Sequence, residues 1–276
     1  MSTLTEEIVA EVRHRSAVLP HLPEVRTVAI SLGYTFVELS NDTMGVCFTP
    51  RSESASCAHY PRAGTLSQRH ILDLAELMLS ANPLEKSVGV AAVNAVSQLV
   101  MDHDAGAYRF ASEDFLELLP LQGARPKIGM LGNIGTFVPF LLKHASSLVV
   151  VDNNPALKTG IHGNGCVFSR DTADMADADI VIITGSSAAV GDFDQVIGVA
   201  QKARFVGVVG PSAGWLPDPA FRRGVHAVAA TRIMDVAGAR RAILEGGGTP
   251  HFMSYGRKYT LLRQAGSQPL RSPPGW

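Results

Sequence analysis

The residues whose types and spacing could hold a ligand are three glycines that follow a short apolar run. In "KIGMLGNIGTF", residues 127–137, Gly129, Gly132 and Gly135 stand three positions apart. A glycine-rich turn between a strand and a helix lets a nucleotide approach the backbone, as in the dinucleotide fingerprint G-x-G-x-x-G. The spacing here is G-x-x-G-x-x-G, so two interpretations stay open. The turn is either a nucleotide-type site or a tight strand-to-helix turn that binds nothing.

An acidic residue at the end of the next apolar run adds to the nucleotide interpretation. Asp152 ends "SLVVVD" and lies 20 residues after Gly132. A carboxylate at that place in a nucleotide-binding sheet accepts hydrogen bonds from ribose hydroxyls. It can equally cap a helix or a turn. One predicted cofactor class is therefore S-adenosylmethionine or a dinucleotide such as NAD.

A metal is the other ligand class that the residues allow. "HGNGC" places His162 and Cys166 four positions apart in a glycine-rich stretch. Imidazole and thiolate suit zinc, nickel, copper or iron, although two ligands do not make a site and an ordinary loop is the alternative. A divalent transition metal or a metal complex is the second predicted ligand. The motif H-E-x-x-H and the P-loop are absent from the sequence. Ser212 in "GPSAGW" follows a predicted strand, but no base can be assigned to it.

The elements that must position these residues form an alternating pattern from residue 125 onward. Short, fully apolar strands alternate with helices, which predicts a parallel sheet covered on both faces and a Rossmann-like domain. In such sheets ligands lie beyond the carboxyl ends of the strands. The predicted strands are 127–131, 147–152, 179–184, 204–210 and 225–230, and the predicted helices are 135–144, 193–202 and 236–244. The strand ends carry the candidate ligand-binding residues Gly132, Asn133, Asp152, Thr184, Gly185, Ser186, Gly210, Pro211 and Ser212.

The first half of the chain has an α+β pattern of strands followed by helices. We predict a helix at 4–18, an antiparallel meander at 25–32, 34–39 and 44–49, a loop at 52–66, and helices at 67–80 and 85–101. Asn94 interrupts the apolar, alanine-rich second helix of the last pair, and a buried amide left unpaired costs about 1–3 kcal/mol. It therefore either bonds a neighbouring backbone or projects into a cleft. Glu85, near the start of that helix, either favours the helix macrodipole or faces the same cleft.

Composition limits the classes of function. The 276 residues suggest two domains, and 46% hydrophobic with 18% charged residues supports real cores. A net charge of −1 without a basic block argues against nucleic acid as the partner. Apolar runs stay below the roughly 20 residues of a membrane span, and the acidic start does not predict a secretory signal. Three cysteines without a C-x-x-C pair fit a reducing cytoplasm, and base rates favour a homodimer.

An ordered series of motifs gives the chain a family resemblance. It runs through "NPLEKSVGVAAVNAV", "KIGMLGNIGTFVPFL", "ADIVIITGSSAAVGDFDQVI", "VVGPSAGWLPDPAFRRGV" and "RIMDVAGARRAILEGGGTPHF". The series, from about residue 8 to 252, resembles the bacterial and archaeal family of heavy-metal chelation domains. The resemblance implies an enolase-N-terminus-like first domain, a Rossmann-like second domain and a site in the cleft between them. Carried over by motif, it implies as site residues Glu85, Asn94, Gly132, Asn133, Thr184, Gly185, Gly210, Pro211, Ser212 and Asp235, with the glycines 246–248.

Two departures from the family pattern bear on the identity of the ligand. Where the family commonly has an aromatic-proline pair after the first glycines, this chain has Gly135-Thr136-Phe137-Val138-Pro139. Where the family commonly has an Asn-Gly-Thr turn after "TG", it has Val190-Gly191-Asp192. The ligand of this chain can therefore differ from that of its relatives.

These observations predict four segments: an α+β domain at 1–104, a linker at 105–124, a Rossmann-like domain at 125–254 and a Pro-rich C-terminal tail at 255–276. We predict a cytoplasmic protein that binds a small anionic or metal-linked ligand in the interdomain cleft, for heavy-metal chelation or metal-related small-molecule metabolism. The alternative is an enzyme of small-molecule biosynthesis with a nucleotide-type cofactor such as S-adenosylmethionine or NAD. A third hypothesis is a structural partner protein, because fold does not imply function.

Overall fold

A computed structural model of the protein describes residues 2–50, 60–123, 125–162, 165–191 and 193–264. Most of the predicted loop at 52–66 and the last twelve residues of the predicted tail lie outside these ranges. The α-helices of the described chain are α1 (Leu4–Ser16), α2 (Ile71–Ala75), α3 (Pro83–His103), α4 (Val138–His144), α5 (Ser187–Val190), α6 (Phe193–Val199), α7 (Asp218–Arg222), α8 (Val236–Leu244) and α9 (Thr249–Phe252). The strands are β1 (Val25–Ile30), β2 (Tyr34–Leu39), β3 (Met44–Phe48), β4 (Arg109–Phe110), β5 (Lys127–Leu131), β6 (Ser147–Val151), β7 (Gly160–Ile161), β8 (Cys166–Ser169), β9 (Ile180–Thr184), β10 (Phe205–Val209), β11 (Ala227–Ile233) and β12 (Gly256–Leu262).

The first half contains the expected meander, an antiparallel sheet in the order β1-β2-β3. Every residue of β2 is buried, although a strand covered on one face alternates between buried and exposed residues. The continuous burial arises because β2 packs against α3 on one side and against α8 of the second half on the other. The small sheet therefore lies between its own long helix and the Rossmann-like half.

Helix α3 is the central element of the interface between the two halves. Asn82 caps its first turn by accepting hydrogen bonds from the N–H groups of Leu84 and Glu85, and Pro83 occupies the first helical position. Residues 87–98 are buried without interruption, so the helix is covered on all sides. The meander covers one side, and α5 with the 3₁₀ turn Pro211–Ala213 covers another.

The second half is a nine-stranded sheet in the order β4-β12-β11-β10-β9-β5-β6-β8-β7. The six strands from β11 to β8 pair in parallel. Numbered along the chain, these six follow the order 3-2-1-4-5-6 of the Rossmann fold, which confirms the predicted Rossmann-like half. Strand order reverses between β5 and β9, and this switch point is where such sheets bind ligands.

The structure corrects the prediction at both ends of this sheet. Part of the predicted tail forms β12, which pairs antiparallel along the whole of β11, and part of the predicted linker forms β4 on its outer edge. Phe115 and Leu119, also in the predicted linker, are buried in the core of the large sheet. Strand β12 lacks the apolar pattern of the predicted strands, because "GRKYTLL" begins with a glycine and two charged residues whose side chains are exposed.

Two local assignments also differ. The predicted helix at 67–80 is divided into a 3₁₀ turn, the short α2 and a second 3₁₀ turn. The stretch around "HGNGC" is not only a loop, because it includes β7 and the start of β8, which pair antiparallel. Strand β8 then continues the parallel sheet beside β6, and this brings the residues that follow it to the ligand-binding edge.

Candidate functional site

A cleft of about 1170 Å³ lies at the carboxyl ends of β5, β6, β8 and β9. Phe48 and Pro50, at the end of the meander, line its opposite side, so both halves of the chain contribute to it. The lining from the Rossmann-like half comprises Leu131, Gly132, Asn133, Val151, Asp152, Asn153, Asn154, Pro155, Arg170, Asp171, Thr172, Thr184, Ser186, Ser187, Val190 and Gln195. The cleft therefore spans the switch point of the sheet, which is where the sequence predicts a ligand site.

The glycine turn lines the cleft where β5 ends. Gly132 has a φ of +79°, a conformation that favours glycine, and its N–H donates to Val151 O at 2.7 Å. A Cβ added there would clash with the Thr184 side chain at the end of β9. Gly132 is thus required for the close contact between the two strand ends on either side of the switch point.

Asp152 lines the cleft at the end of β6 and also organises the turn beside it. Its Oδ2 accepts from Asn133 N at 2.7 Å and its Oδ1 accepts from Asn154 N at 2.7 Å. A carboxylate offers about four acceptor positions, so about two remain for a ligand. Both roles that the sequence left open, turn residue and ligand acceptor, are compatible with this geometry.

The residues after β8 are part of the lining that sequence reasoning missed. Arg170 donates to Asp152 O, Asn154 O and Leu157 O at 3.0–3.2 Å, so its guanidinium holds the loop after β6. The signal in the sequence was "CVFSRD", a short apolar run followed by charged residues. Its four-residue strand was too short to be separated from the glycine-rich stretch before it.

Hydroxyl and amide groups line the remaining side of the cleft. Thr184 Oγ1 lies 3.1 Å from Ser186 Oγ, and Ser187 Oγ donates to Thr184 O at 2.7 Å. Gln195 Nε2 donates to Thr172 Oγ1 at 3.0 Å. Of the described residues that line the cleft, the charged ones are Asp152, Asp171 and Arg170, so carboxylates outnumber guanidinium groups two to one.

The end of β10 faces the first half of the chain instead of the cleft. Ser212 Oγ accepts from Phe48 N at 2.9 Å, and Ser212 O accepts from Asn94 Nδ2 at 3.1 Å. Asn94 Nδ2 also donates to Val46 O at 2.9 Å, while its Oδ1 is buried without a hydrogen-bond partner. The backbone-bonding alternative for Asn94 is thus the one that the structure contains. The Gly210–Pro211–Ser212 tip is closed by this contact and does not belong to the cleft lining.

Three other predicted site residues have local partners outside the lining. Glu85 is buried and accepts from Ser80 Oγ, Tyr60 OH and Arg62. The Ser80 hydrogen bond, with smaller contributions from Tyr60 and Arg62, lowers the pKa of Glu85 despite the opposing effect of burial. Asp235 caps α8 through Gly238 N at 2.9 Å. A Cβ on Gly185 would lie 2.8 Å from Ala213 N, so this glycine serves close packing.

The candidate metal ligands do not converge. His162 Nε2 bonds Lys158 O at 2.7 Å, whereas Cys166 is buried in β8, where burial raises the pKa of its thiol to about 11. Among the residues that the structure describes, no group of three His, Cys, Asp or Glu side chains could hold a metal ion together. The described side chains therefore do not fit a protein-only heavy-metal site.

In the described ranges, no helix combines the length and apolarity needed to cross a bilayer.

The fold and the cleft together define a two-domain α/β protein in which a small antiparallel domain packs on a Rossmann-like sheet. Two family models, both described as "Putative heavy-metal chelation", match residues 21–97 and residues 114–262. The chain belongs to this heavy-metal chelation family.

Similar proteins extend over almost the whole chain. An uncharacterized protein of Methanocaldococcus jannaschii is 25% identical over 263 residues, which cover 92% of this chain and 97% of the relative. A protein of unknown function from the same family in Pyrococcus horikoshii has a crystal structure with a TM-score of 0.73 at 21% identity, covering 94% of this chain and 100% of that one. A second crystal structure, from Desulfitobacterium hafniense, has a TM-score of 0.68 at 18% identity, covering 93% and 98%. These two likenesses support the fold.

Proposed function

We propose that the protein binds a small, metal-linked organic ligand in the cleft between its two halves, as its part in heavy-metal chelation or metal-related small-molecule metabolism. The cleft at the switch point of the Rossmann-like sheet carries this proposal. Its volume of about 1170 Å³ lies just above the range of about 300–1,000 Å³ that is common for ligand pockets, so it can hold an organic molecule. A bare ion needs only a few closely spaced ligands.

The chemistry of the lining supports an organic ligand that brings its own metal. Asn133, Asn153, Asn154 and Gln195 supply amide groups, and neighbouring hydroxyls supply further donors and acceptors. Such groups orient an organic ligand through hydrogen bonds but are weak ligands for soft heavy metals, which prefer thiolate and imidazole. The excess of carboxylates over guanidinium groups makes the lining less suited to an anionic ligand, the other form that the sequence allowed.

The second candidate function is an enzyme of small-molecule biosynthesis that uses a nucleotide-type cofactor such as S-adenosylmethionine or NAD. One observation favours it: the strand order 3-2-1-4-5-6 places a glycine turn and Asp152 at the first two strand ends, where nucleotide-binding sheets hold a ribose. A transfer reaction can depend largely on positioning, so the cleft does not need a nucleophile of its own.

We also propose a cytoplasmic homodimer that binds neither nucleic acid nor membranes. The near-neutral charge of −1 supports the absence of a nucleic-acid partner. The low number of cysteines, of which the two described ones are buried, supports a cytoplasmic location. Light scattering coupled to gel filtration tests the dimer: a mass near 58.6 kDa, twice the 29.3 kDa of the chain, is expected, and 29.3 kDa contradicts it.

Native mass spectrometry of the protein as purified, without added metal or cofactor, tests the proposed function. A retained mass with the isotope pattern of a metal supports the metal-linked ligand. A retained mass of a nucleotide without metal supports the enzyme instead. Val190→Trp places a large side chain in the lining at a position that is 53% exposed, so it should abolish retention without disturbing the core. Val18→Trp, at a 66% exposed position outside the lining, is the matched control, and equal loss in both variants contradicts the cleft.

A further inference from the structure

We propose that the cleft is a single-nucleoside site, which holds one ribonucleoside without a phosphate chain and recognises its 2′,3′-diol through Asp152. The inference rests on the proposed function, because it names the part of the ligand that this same cleft binds. It applies equally to a metal-linked ligand with a nucleoside group and to a nucleoside cofactor.

The position of the cleft along the sheet selects one half of a dinucleotide site. A dinucleotide lies across the switch point and uses both three-strand halves of a 3-2-1-4-5-6 sheet. The cleft here covers the ends of β5, β6 and β8, which are strands one, two and three, and reaches only β9 of the other half. This is the half that holds a single nucleoside.

The other half is closed by the first domain. At the end of β10, the hydroxyl of Ser212 accepts from Phe48 N and its carbonyl accepts from Asn94 Nδ2. Gly214 then packs on Asn94, with 3.2 Å from an added Cβ to the amide carbon. The volume of the cleft does not by itself limit the ligand to one nucleoside, so this restriction comes from the contact between the domains.

Asp152 has the geometry for a vicinal diol. Backbone N–H groups occupy one acceptor position on each carboxylate oxygen, at 2.7 Å on both sides, and hold the carboxylate in place. One acceptor position per oxygen remains, and two adjacent hydroxyls can donate to these two oxygens together. Arg170 stabilises the same loop through three carbonyl oxygens, so the acceptor pair is held before a ligand arrives.

The charge of the lining argues against a phosphate chain. Among the described lining residues, Asp152 and Asp171 outnumber Arg170, and three of the five N–H donors of Arg170 are engaged by backbone carbonyls. A diphosphate or triphosphate would bring two or more negative charges beside two carboxylates, which is unfavourable. The amides of Asn133, Asn153 and Gln195 instead match the neutral hydrogen-bonding groups of a base and a sugar.

Calorimetric titration of the full chain tests the proposal with adenosine, guanosine, cytidine and uridine, their 2′-deoxy counterparts, ATP and NAD. At least one ribonucleoside should bind with one site per chain, about tenfold more tightly than its 2′-deoxy counterpart, because a hydrogen bond to a carboxylate is lost. ATP and NAD should bind at least tenfold more weakly than adenosine, or not at all. Asp152→Asn should reduce the ribose preference to about twofold, whereas Asp177→Asn, an exposed acid outside the lining that pairs with Lys127, should retain it.

Each other outcome overturns the single-nucleoside site. Absence of binding by all four ribonucleosides, equal affinity for ribose and deoxyribose in the wild type, or tighter binding of NAD contradicts it. The first of these leaves the proposed function standing if native mass spectrometry still finds a ligand that Val190→Trp removes. If that retained ligand is absent as well, the cleft itself is not a binding site and both proposals fail.

Discussion

Replacing Asn94 by Leu should lower the stability of the protein while leaving ligand binding unchanged. The substitution removes two hydrogen bonds, to Val46 O and Ser212 O, which join the meander and the Rossmann-like half through α3. Two buried carbonyls left without this donor cost about 1–3 kcal/mol each, or roughly 2–6 kcal/mol. Removal of the unpaired Oδ1 returns about 1–3 kcal/mol. The net expectation is a loss of about 1–3 kcal/mol in the free energy of unfolding.

Urea unfolding followed by tryptophan fluorescence measures this loss, because Trp215 is fully buried beside the same contact. Gln98→Leu is the matched control. Gln98 lies one turn further along α3 and donates to Met44 O at 3.2 Å, a hydrogen bond within the first half of the chain. Its replacement by Leu should lower the free energy of unfolding by about 0.5–1.5 kcal/mol. If Asn94→Leu abolishes retention of the ligand and leaves the unfolding free energy unchanged, Asn94 contacts the ligand, as the family resemblance implied, and the reasoning from the hydrogen bonds is refuted.

Three further predictions concern the turn, a histidine and a buried ion pair. Gly132→Ala should lower the free energy of unfolding in urea by about 2–4 kcal/mol, because the residue has a positive φ and a Cβ would clash with the end of β9. Gly135→Ala, where a Cβ meets open space, should change that free energy by no more than about 0.5 kcal/mol, and equal effects of the two substitutions would contradict this. Burial is the largest cause that lowers the pKa of His226, whose Nδ1 accepts a backbone N–H, so the stability contributed by the neutral imidazole is full above the ordinary pKa of 6.5 and is lost as the pH falls toward the lowered pKa. Thermal melts from pH 8 to 5 should therefore show less acid sensitivity in His226→Gln than in the wild type, and equal acid sensitivity in both proteins would contradict this. Arg240→Met should lower the free energy of unfolding by about 3 kcal/mol, because the buried Glu38 carboxylate then keeps only the more exposed Arg26 as its ion-pair partner. Glu38→Gln should lower it by less, because water reaches both arginines, and the reverse order in chemical unfolding would contradict this prediction.

The sheet was predictable from sequence where its strands are buried on both faces. Runs such as "IVIIT" and "FVGVV" contain no charged residue and are buried at their first four positions, which is a strong local signal for a central parallel strand. Edge elements lack that signal. Strand β8 has only four residues, and β12 carries exposed Arg257 and Lys258, so neither separates from a loop by local pattern alone.

The position of the candidate site was easier to predict from the sequence than the residues that line it. The rule that ligands lie at the carboxyl ends of parallel strands led to Gly132, Asp152 and Thr184, and these do line one cleft. The same rule selected Ser212, but the partners of that residue lie 118 and 164 positions away in the chain. Contacts over such separations depend on how two domains pack, which a local pattern does not contain.

The complete burial of α3 has a consequence for synthesis of the protein. The first half of the chain leaves the ribosome with this helix covered only by the meander and its neighbouring helices, since the elements that cover its other side begin near residue 187. A nascent chain of about 110 residues therefore exposes an apolar, alanine- and valine-rich helix surface for as long as translation of the next 80 or so residues takes, about 4–16 s at 5–20 residues per second. During that interval the helix surface is open to aggregation and to chaperones, and slower translation in this stretch should increase the need for a chaperone.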